Sequence, residues 1–530
     1  MSLSWLSSKL GGNFKSKNND NDSSGKTSGI TSSITAFGRS LSKSDLDVND
    51  QYDNNAIGIL SSSSVSSGNT SGGSPNGHTN HSNTQSLSSS SSTLDMSTLS
   101  VGARELIDVS LEPFVRTPSG CLIDHLVNLF GIGTDTNCYA NGAEIYDRFH
   151  HPFKFIKFKA FTSACAIDNN SQWDRQYVDR VVKLTRQLKS TYPIGKSILS
   201  AIDKRYSEEG QEMMKMTGLY VPNDYLLDIV QDFSDLFIPC ISIHPYRKDA
   251  IDELLKWIVK GVRFVRWLPI SMGIDMSSEL CVPFYEALVE NDIILFVHVG
   301  NEHSLIEPPD SNSALGNPLL LKRALDIGVK IVGVHCGGEG KSVDFDDPKQ
   351  TITPNLHLFL RLMHEKKYED NLIGDLSGVI AYNRVDSLVP MLDHHYLHHR
   401  FIYSSDYPIP AVNLAVITTL LANRGLITPD ERNLVNEIYK FNPILFDIVL
   451  KRIIRSPITG NRFNLSIFKE NKFFESSIHG DFNQSNSNII QPLKKQSAQQ
   501  SPVQLSYDSP ILDLVNLKDD DFELEEYTDF

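Results

Sequence analysis

The chain has 530 residues, a formal net charge of -15 and six Cys. That acidic balance, with no basic stripe and no nucleic-acid module, excludes nucleic acid as an expected partner. No apolar run is long enough to span a bilayer, no charged-then-apolar leader opens the chain, and Ser2 stands where myristoylation needs Gly, so no membrane association is expected.

Residues 1–100 are dominated by Ser, Asn, Gly and Thr, as in "SSSSVSSGNTSGGSPNGHTNHSN". Too little apolar surface is present to offset the entropy of ordering, so this segment reads as a disordered tail. Leu3, Leu6 and Leu10 in "LSWLSSKL" have roughly helical spacing; they read as residual apolar residues, with a short docking motif as the alternative. Residues 101–468 have ordinary globular composition and read as one large α/β barrel. Residues 469–530 are again polar and expected to be disordered, closing on "LKDDDFELEEYTDF". Such an acidic end is either solvated or binds a protein partner. The Cys show no CxxC and no paired spacing, which argues against a structural zinc or disulfide framework and for the cytoplasm.

Within the barrel, short β-branched runs alternate with amphipathic helical segments, the pattern of βα units around a parallel sheet. Eight strands are predicted: "CLIDHLV", "KSILSAID", "LFIPCISIHP", "VRFVRWLP", "DIILFVHVG", "VKIVGVHCGG", "NLIGDLSG" and "RFIYSSDYP". Between the first two, "PFKFIKFKAFTSACAID" suits strand or helix; a strand would make nine, so an inserted helix is preferred. "RQYVDRVVKLTRQLK" then places Tyr177, Val178, Val181, Leu184 and Leu188 on one stripe. "DAIDELLKWIVKG" does the same with Ile251, Leu254, Leu255 and Ile258, with Asp249 as a cap and Gly261 as its stop. "NPLLLKRALDIG" ends at Gly328. Eight parallel strands with eight crossovers close into a (β/α)8 TIM-like barrel, whose active site sits at the C-terminal strand ends.

Those ends carry His298 in "FVHVG", His335 in "GVHCGG" and Asp406 in "YSSDYP". A lone buried His is usually a satisfied core residue. Three such groups at one mouth need partners or an ion.

The strings "VHVG", "VHCGG", "GDLSG" and "SSDYP", in this order and on these strands, resemble the amidohydrolase superfamily in its amidohydrolase-related branch. The resemblance runs from Leu111 to Phe468. "ISIHPYRKDA", "RWLPISMGID", "LGNPLLLKRALDIGVK" and "NPILFDIVLKR" are similar to bacterial metal-dependent hydrolases. It implies hydrolysis of a C–N or C–O bond in a small molecule, with His298 and His335 binding metal or polarising substrate. Asp406 would be a metal ligand and the base that activates water.

Two departures stand against that pattern. Where the family reads Asp-x-His-x-His, "CLIDHLVNLFG" keeps Asp124 but has Leu126 and Asn128 at the His positions. Leu cannot ligate, and an Asn carbonyl is a poor substitute for imidazole on zinc. Period-two geometry turns His125 to the opposite face, toward the helices. Second, Arg266 stands where "KWLP" is expected. Arg cannot be carboxylated and stays a cation. A unit positive charge a few Å from a cation costs roughly 4 kcal/mol at intermediate dielectric.

Three readings stay open. One divalent metal, zinc, sits on His298, His335 and Asp406. Or no metal binds: Asp406 is the base, and Arg266 with His335 or His298 stabilises the oxyanion, as the superfamily's metal-independent lactonase allows. Or the barrel is a non-catalytic pseudoenzyme that binds a ligand or a protein. Asn128, Trp267, Asp375 and Arg384 are candidate substrate-binding residues. For Trp267, as for Met272, core packing is the alternative. Asp375 reads equally as a turn residue; Arg384 and Arg247 could grip a substrate carboxylate bidentately, with surface ion pairs as the preferred reading. His394, His395, His398 and His399 in "DHHYLHHR" have the one-turn spacing of surface clamps, but no HExxH carboxylate, and read as mostly solvated.

Overall fold

A computed structural model describes residues 96–115, 122–141, 146, 148–168, 171–302 and 312–474. Most of both tails, including "LSWLSSKL" and the acidic end, lies outside the described residues.

All eight predicted strands form, as β1 (Val127–Asn128), β2 (Ser197–Ser200), β3 (Phe237–Ile241), β4 (Phe264–Trp267), β5 (Ile294–His298), β6 (Lys330–Val334), β7 (Leu372–Asp375) and β8 (Phe401–Ile402). They pair side by side in chain order, every pair parallel. The chain after β8 then returns to β1. His125 N donates to Tyr403 O at 3.2 Å, Asp406 N to Leu126 O at 2.9 Å, and Asn128 N to Tyr407 O at 3.0 Å. A bridge between Val127 and Tyr407 completes the circuit. The sheet is a closed α/β barrel.

Helices cover it: α1 (Val101–Val115), α2 (Pro152–Ala164), α3 (Trp173–Lys189), α4 (Asn223–Asp232), α5 (Ala250–Val259), α6 (Val282–Glu290), α7 (Lys322–Ile327), α8 (Asn355–His364), α9 (Leu388–Asp393), α10 (Pro429–Phe441) and α11 (Pro443–Ile453). The ambiguous "PFKFIKFKAFTSA" is the helix α2. The predicted stripe of α3 is wholly buried. Asp249 does not cap α5 through its side chain; its carboxylate pairs with Arg247 at 2.8 Å. Gly328, at φ 104°, ends α7 by turning its N–H back to Leu325 O at 3.0 Å, a conformation a β-carbon disfavours. Among the described residues no helix is long and apolar enough to cross a membrane.

Period-two alternation sorts the strand residues. Leu126, Ile198, Cys240, Phe264, Ile294, Phe296, Val332, Ile373 and Ile402 pack inside the barrel, while Val127, Val265, Leu295 and Val297 join the helix-facing core. Phe474, beyond the last strand, joins the inner cluster. Its ring lies 6.0 Å from Phe264 and 6.3 Å from Phe296, so it plugs the N-terminal end. The His125 ring packs tilted against it, with ring centres 4.7 Å apart. His125 therefore does not face the helices as strand alternation implies. Residues 123–126 are irregular backbone, and the period-two rule does not hold there.

A second buried device ties β8 to α11. Asp447 accepts from Tyr403 Oη at 2.9 Å and Lys451 Nζ at 2.8 Å, and Lys451 also donates to Ser404 O at 2.8 Å. Nearby, Asp124 Oδ1 accepts the Ser405 N–H at 2.8 Å. Burial raises Asp124 to about 7 and Asp447 to about 6.

Two outcomes follow from this architecture. Phe474→Ala should leave a void at the barrel floor and cost about 3–5 kcal/mol in urea unfolding. A loss below about 1 kcal/mol would show that the plug is dispensable. For Asp124 the folded pKa is raised, so between about pH 4 and 7 the folded state keeps a proton that the unfolded state has released. Stability then falls as pH rises through that window. Asp124→Asn should flatten part of the fall in Tm between about pH 4 and 7; identical slopes in the two proteins would refute the assignment.

Candidate functional site

Strand ends build the mouth. Inward alternation that places Phe264 in the apolar floor brings Arg266 up to the rim, and the step from Ile198 does the same for Ser200. Arg266 Nη1 donates to Ser200 Oγ at 2.6 Å and also to Asn128 Oδ1. Asn128 in turn donates through Nδ2 to Asp406 Oδ1 at 2.9 Å and to Tyr407 O at 3.0 Å. Its own carbonyl accepts the Tyr177 hydroxyl at 2.6 Å. One neutral amide thus bridges a buried guanidinium and a buried carboxylate, its oxygen toward the cation and its nitrogen toward the anion.

His335 follows β6 at φ 67°, which turns it into the mouth one residue out of register with Val334. Its N–H donates to Asp375 Oδ1 at 2.7 Å, and its Nδ1 lies 2.7 Å from Ser377 O. A carbonyl partner requires Nδ1 to carry the proton, so the lone pair is on Nε2, 4.0 Å from Asp406 Oδ2. Ser377 Oγ donates to Asp375 Oδ1 at 2.6 Å. Asp375 is therefore the buried brace that holds His335. The His298 ring meets His335 edge-on at 4.5 Å, with its Nε2 3.0 Å from Asn301 O. Arg384 reaches the same place. A β-carbon on Gly378, at φ 61°, would stand 3.3 Å from His335 Nδ1, 3.4 Å from Arg384 Nη1 and 3.5 Å from Asp406 Oδ2.

Asp406, His335, Arg266 and Arg384 are 4%, 2%, 3% and 1% exposed, and desolvation is the largest influence on the first three. Burial raises Asp406, against the pull of Arg266, the Asn128 hydrogen bond and Arg384. His335 is held well below its usual value by burial, then by Arg384, His298 and Arg266, and is neutral. Burial likewise lowers Arg266, and Asp406 opposes this most strongly.

The donors do not fit a divalent metal. His298 donates Nε2–H to a carbonyl, Leu126 packs in the apolar interior, and the Asn128 oxygen is engaged by a cation already in place. Among the described residues no group of three or more His, Cys, Asp or Glu side chains is arranged to hold a metal ion. His298, His335 and Asp406 share the mouth without forming one ligand set.

Trp267 lies elsewhere. It points outward, donates its indole N–H to Ile243 O at 2.8 Å and packs on Phe284 and Tyr285, because the residue after an inward Arg266 must face the helices. Met272 is buried beside Ser242. Arg247 forms ion pairs with Asp203 and Asp249. A small cavity of about 20 Å³ at the C-terminal ends of β2 and β4 is lined by Asp203, Arg205, Thr217, Leu268 and Ser271 among others. Sequence reading missed Ser200 and Tyr177 as partners of the Arg266–Asn128 chain. The inward register of "SILS" was the available signal for Ser200; nothing local marked Tyr177.

Residues 205–433 match the amidohydrolase family model. No curated protein matches the chain. Among solved structures it is similar to an uncharacterized TIM-barrel protein from Bordetella bronchiseptica, at 14% identity and TM-score 0.36, over 61% of this chain and 99% of that one. It is also similar to 5-carboxyvanillate decarboxylase from Novosphingobium aromaticivorans complexed with manganese, at 12% identity and TM-score 0.36, over 68% and 96%. An amidohydrolase from Burkholderia multivorans with bound zinc matches at 13% identity and TM-score 0.34, over 59% and 95%. The stretch matched to the amidohydrolase family model runs from just after β2 into α10 and holds Arg266, His298, His335, Asp375, Arg384 and Asp406.

Proposed function

We propose that the mouth is a metal-independent hydrolytic site for a C–O or C–N bond in a small molecule. The observation that carries this reading is the Arg266–Asn128–Asp406 chain, which puts an internal cation beside the carboxylate. Asp406 Oδ2 and His335 Nε2, 4.0 Å apart, are two acceptors that one water can reach with its two protons. Asp406 takes the proton as the water oxygen attacks the substrate carbon, and returns it to the leaving oxygen or nitrogen as the C–O or C–N bond breaks. Its raised pKa makes it a stronger base than an exposed Asp, and activity should rise with pH as it ionises. Arg266 and Arg384 stabilise the negative charge that develops on the substrate oxygen, more strongly in a dry site than in water. Asn128 holds the base, and Asp375 orients His335 as a positioning residue. The buried free thiols suit a reducing, cytoplasmic setting.

The near-complete burial of all four polar side chains favours a second reading, a non-catalytic barrel whose polar groups satisfy one another. The two part on experiment. On a panel of aryl esters, lactones and amides, the hydrolytic reading expects turnover that survives dialysis against EDTA and falls at least about a hundredfold in Asp406→Asn with the Tm retained. No turnover on any of them, or an Asp406→Asn enzyme as fast as wild type, would favour the non-catalytic barrel. Arg266→Met should lower kcat by about a hundredfold or more, because it removes charge from the transition state. A loss confined to KM would make Arg266 a binding group only.

A further inference from the structure

The histidine-rich "DHHYLHHR" takes no part in the mouth, and it does not form the helical clamps its spacing predicts. His395–Arg400 is a 3-10 segment, and His398 is buried, with Nε2 3.0 Å from Met391 O and the Asn464 N–H on its Nδ1 at 3.2 Å. The tertiary fold instead brings His394 to a histidine 30 residues away in sequence, His364, at the end of α8. Their ring centres are 6.1 Å apart, and the Tyr396 ring stands 5.7 Å from one and 5.6 Å from the other. His364 and Tyr396 are exposed and His394 half-buried.

Both imidazoles are oriented alike. His364 Nδ1 lies 2.6 Å from Leu360 O, and His394 Nδ1 lies 2.7 Å from Pro390 O. Each Nδ1 must therefore carry the proton, and each Nε2 the lone pair. At His364 that lone pair accepts the Tyr396 hydroxyl at 2.8 Å, a hydrogen bond to an exposed hydroxyl that an incoming ion would displace. Histidine metal ligands are usually arranged this way, with the second nitrogen donating to a carbonyl that sets tautomer and ring direction. Two imidazoles on one ion, each about 2.1 Å from it, place their ring centres roughly 5 to 6.5 Å apart.

We propose that His364 and His394 form a two-imidazole surface site for a borderline divalent transition-metal ion, with Tyr396 beside it and water completing the coordination. Imidazole donors select Ni2+, Cu2+ or Zn2+ over Mg2+ and Ca2+. The ion would clip the end of α8 to the segment after α9, so binding raises the Tm.

The test is titration of the full chain with NiCl2 and ZnCl2 by calorimetry, with melting curves in parallel. We expect Ni2+ to bind and raise the Tm, and His364→Ala and His394→Ala each to weaken binding at least tenfold and abolish the rise. His399→Ala and Asp406→Asn should bind as wild type does, which separates this site from the mouth. Three results would overturn the proposal: no binding at millimolar Ni2+, unchanged affinity in the His364→Ala/His394→Ala double variant, or loss of binding in Asp406→Asn alone.

Discussion

The return of the last strand to the first is the constraint on which the site depends. A parallel barrel must pair β1 with the chain after β8, and here Asp406 N to Leu126 O and Asn128 N to Tyr407 O make that closure. The same two hydrogen bonds set Asn128 against Asp406, so 278 positions of separation collapse to a 2.9 Å contact. Closure also leaves the interior with an apolar floor, sealed by Phe474, and a polar rim. Buried backbone groups find partners in the ladder, and the rim side chains are left to satisfy one another.

What they must satisfy is charge. Arg266, Arg384 and Asp406 are almost fully removed from water, a state that is costly for an isolated ion. Two cations near one carboxylate also bias the neighbouring imidazole, and His335 stays neutral. Asn128 matters because an amide presents an acceptor to one partner and a donor to the other; His or Leu at that position would match only one of them, or neither. An internal guanidinium supplies positive charge at this mouth, linked to Asp406 through Asn128. Placing a second cation beside it would add repulsion without adding donors.

The braces behind the rim follow the same logic. Asp375 links the ends of β6 and β7 and fixes the His335 tautomer through Ser377. Asp447 and Lys451 pair under β8, and burial raises both Asp447 and Asp124 above the usual carboxylate range. The rim is polar only because a second layer of buried polar groups holds it.

Period-two runs bounded by Gly and Pro located all eight strands, and the 3.6-residue stripes located α3 and α5, because both patterns report local burial. The strand ends bearing Arg266, His298, His335, Asp375 and Asp406 were legible for the same reason. So were Leu126 and Asn128 as residue types that suit zinc poorly. Local pattern could not tell that His125 packs against Phe474, since irregular backbone at 123–126 breaks the alternation. Nor could it tell that Trp267 belongs to the helix layer, because Trp suits a pocket and a core equally, or that His394 meets His364 rather than His398. The amino-acid sequence determined the elements and the chemical types at their ends; only tertiary structure decided which of those groups touch, because contacts between distant strands and helices are set by barrel closure and packing, not by spacing along the chain.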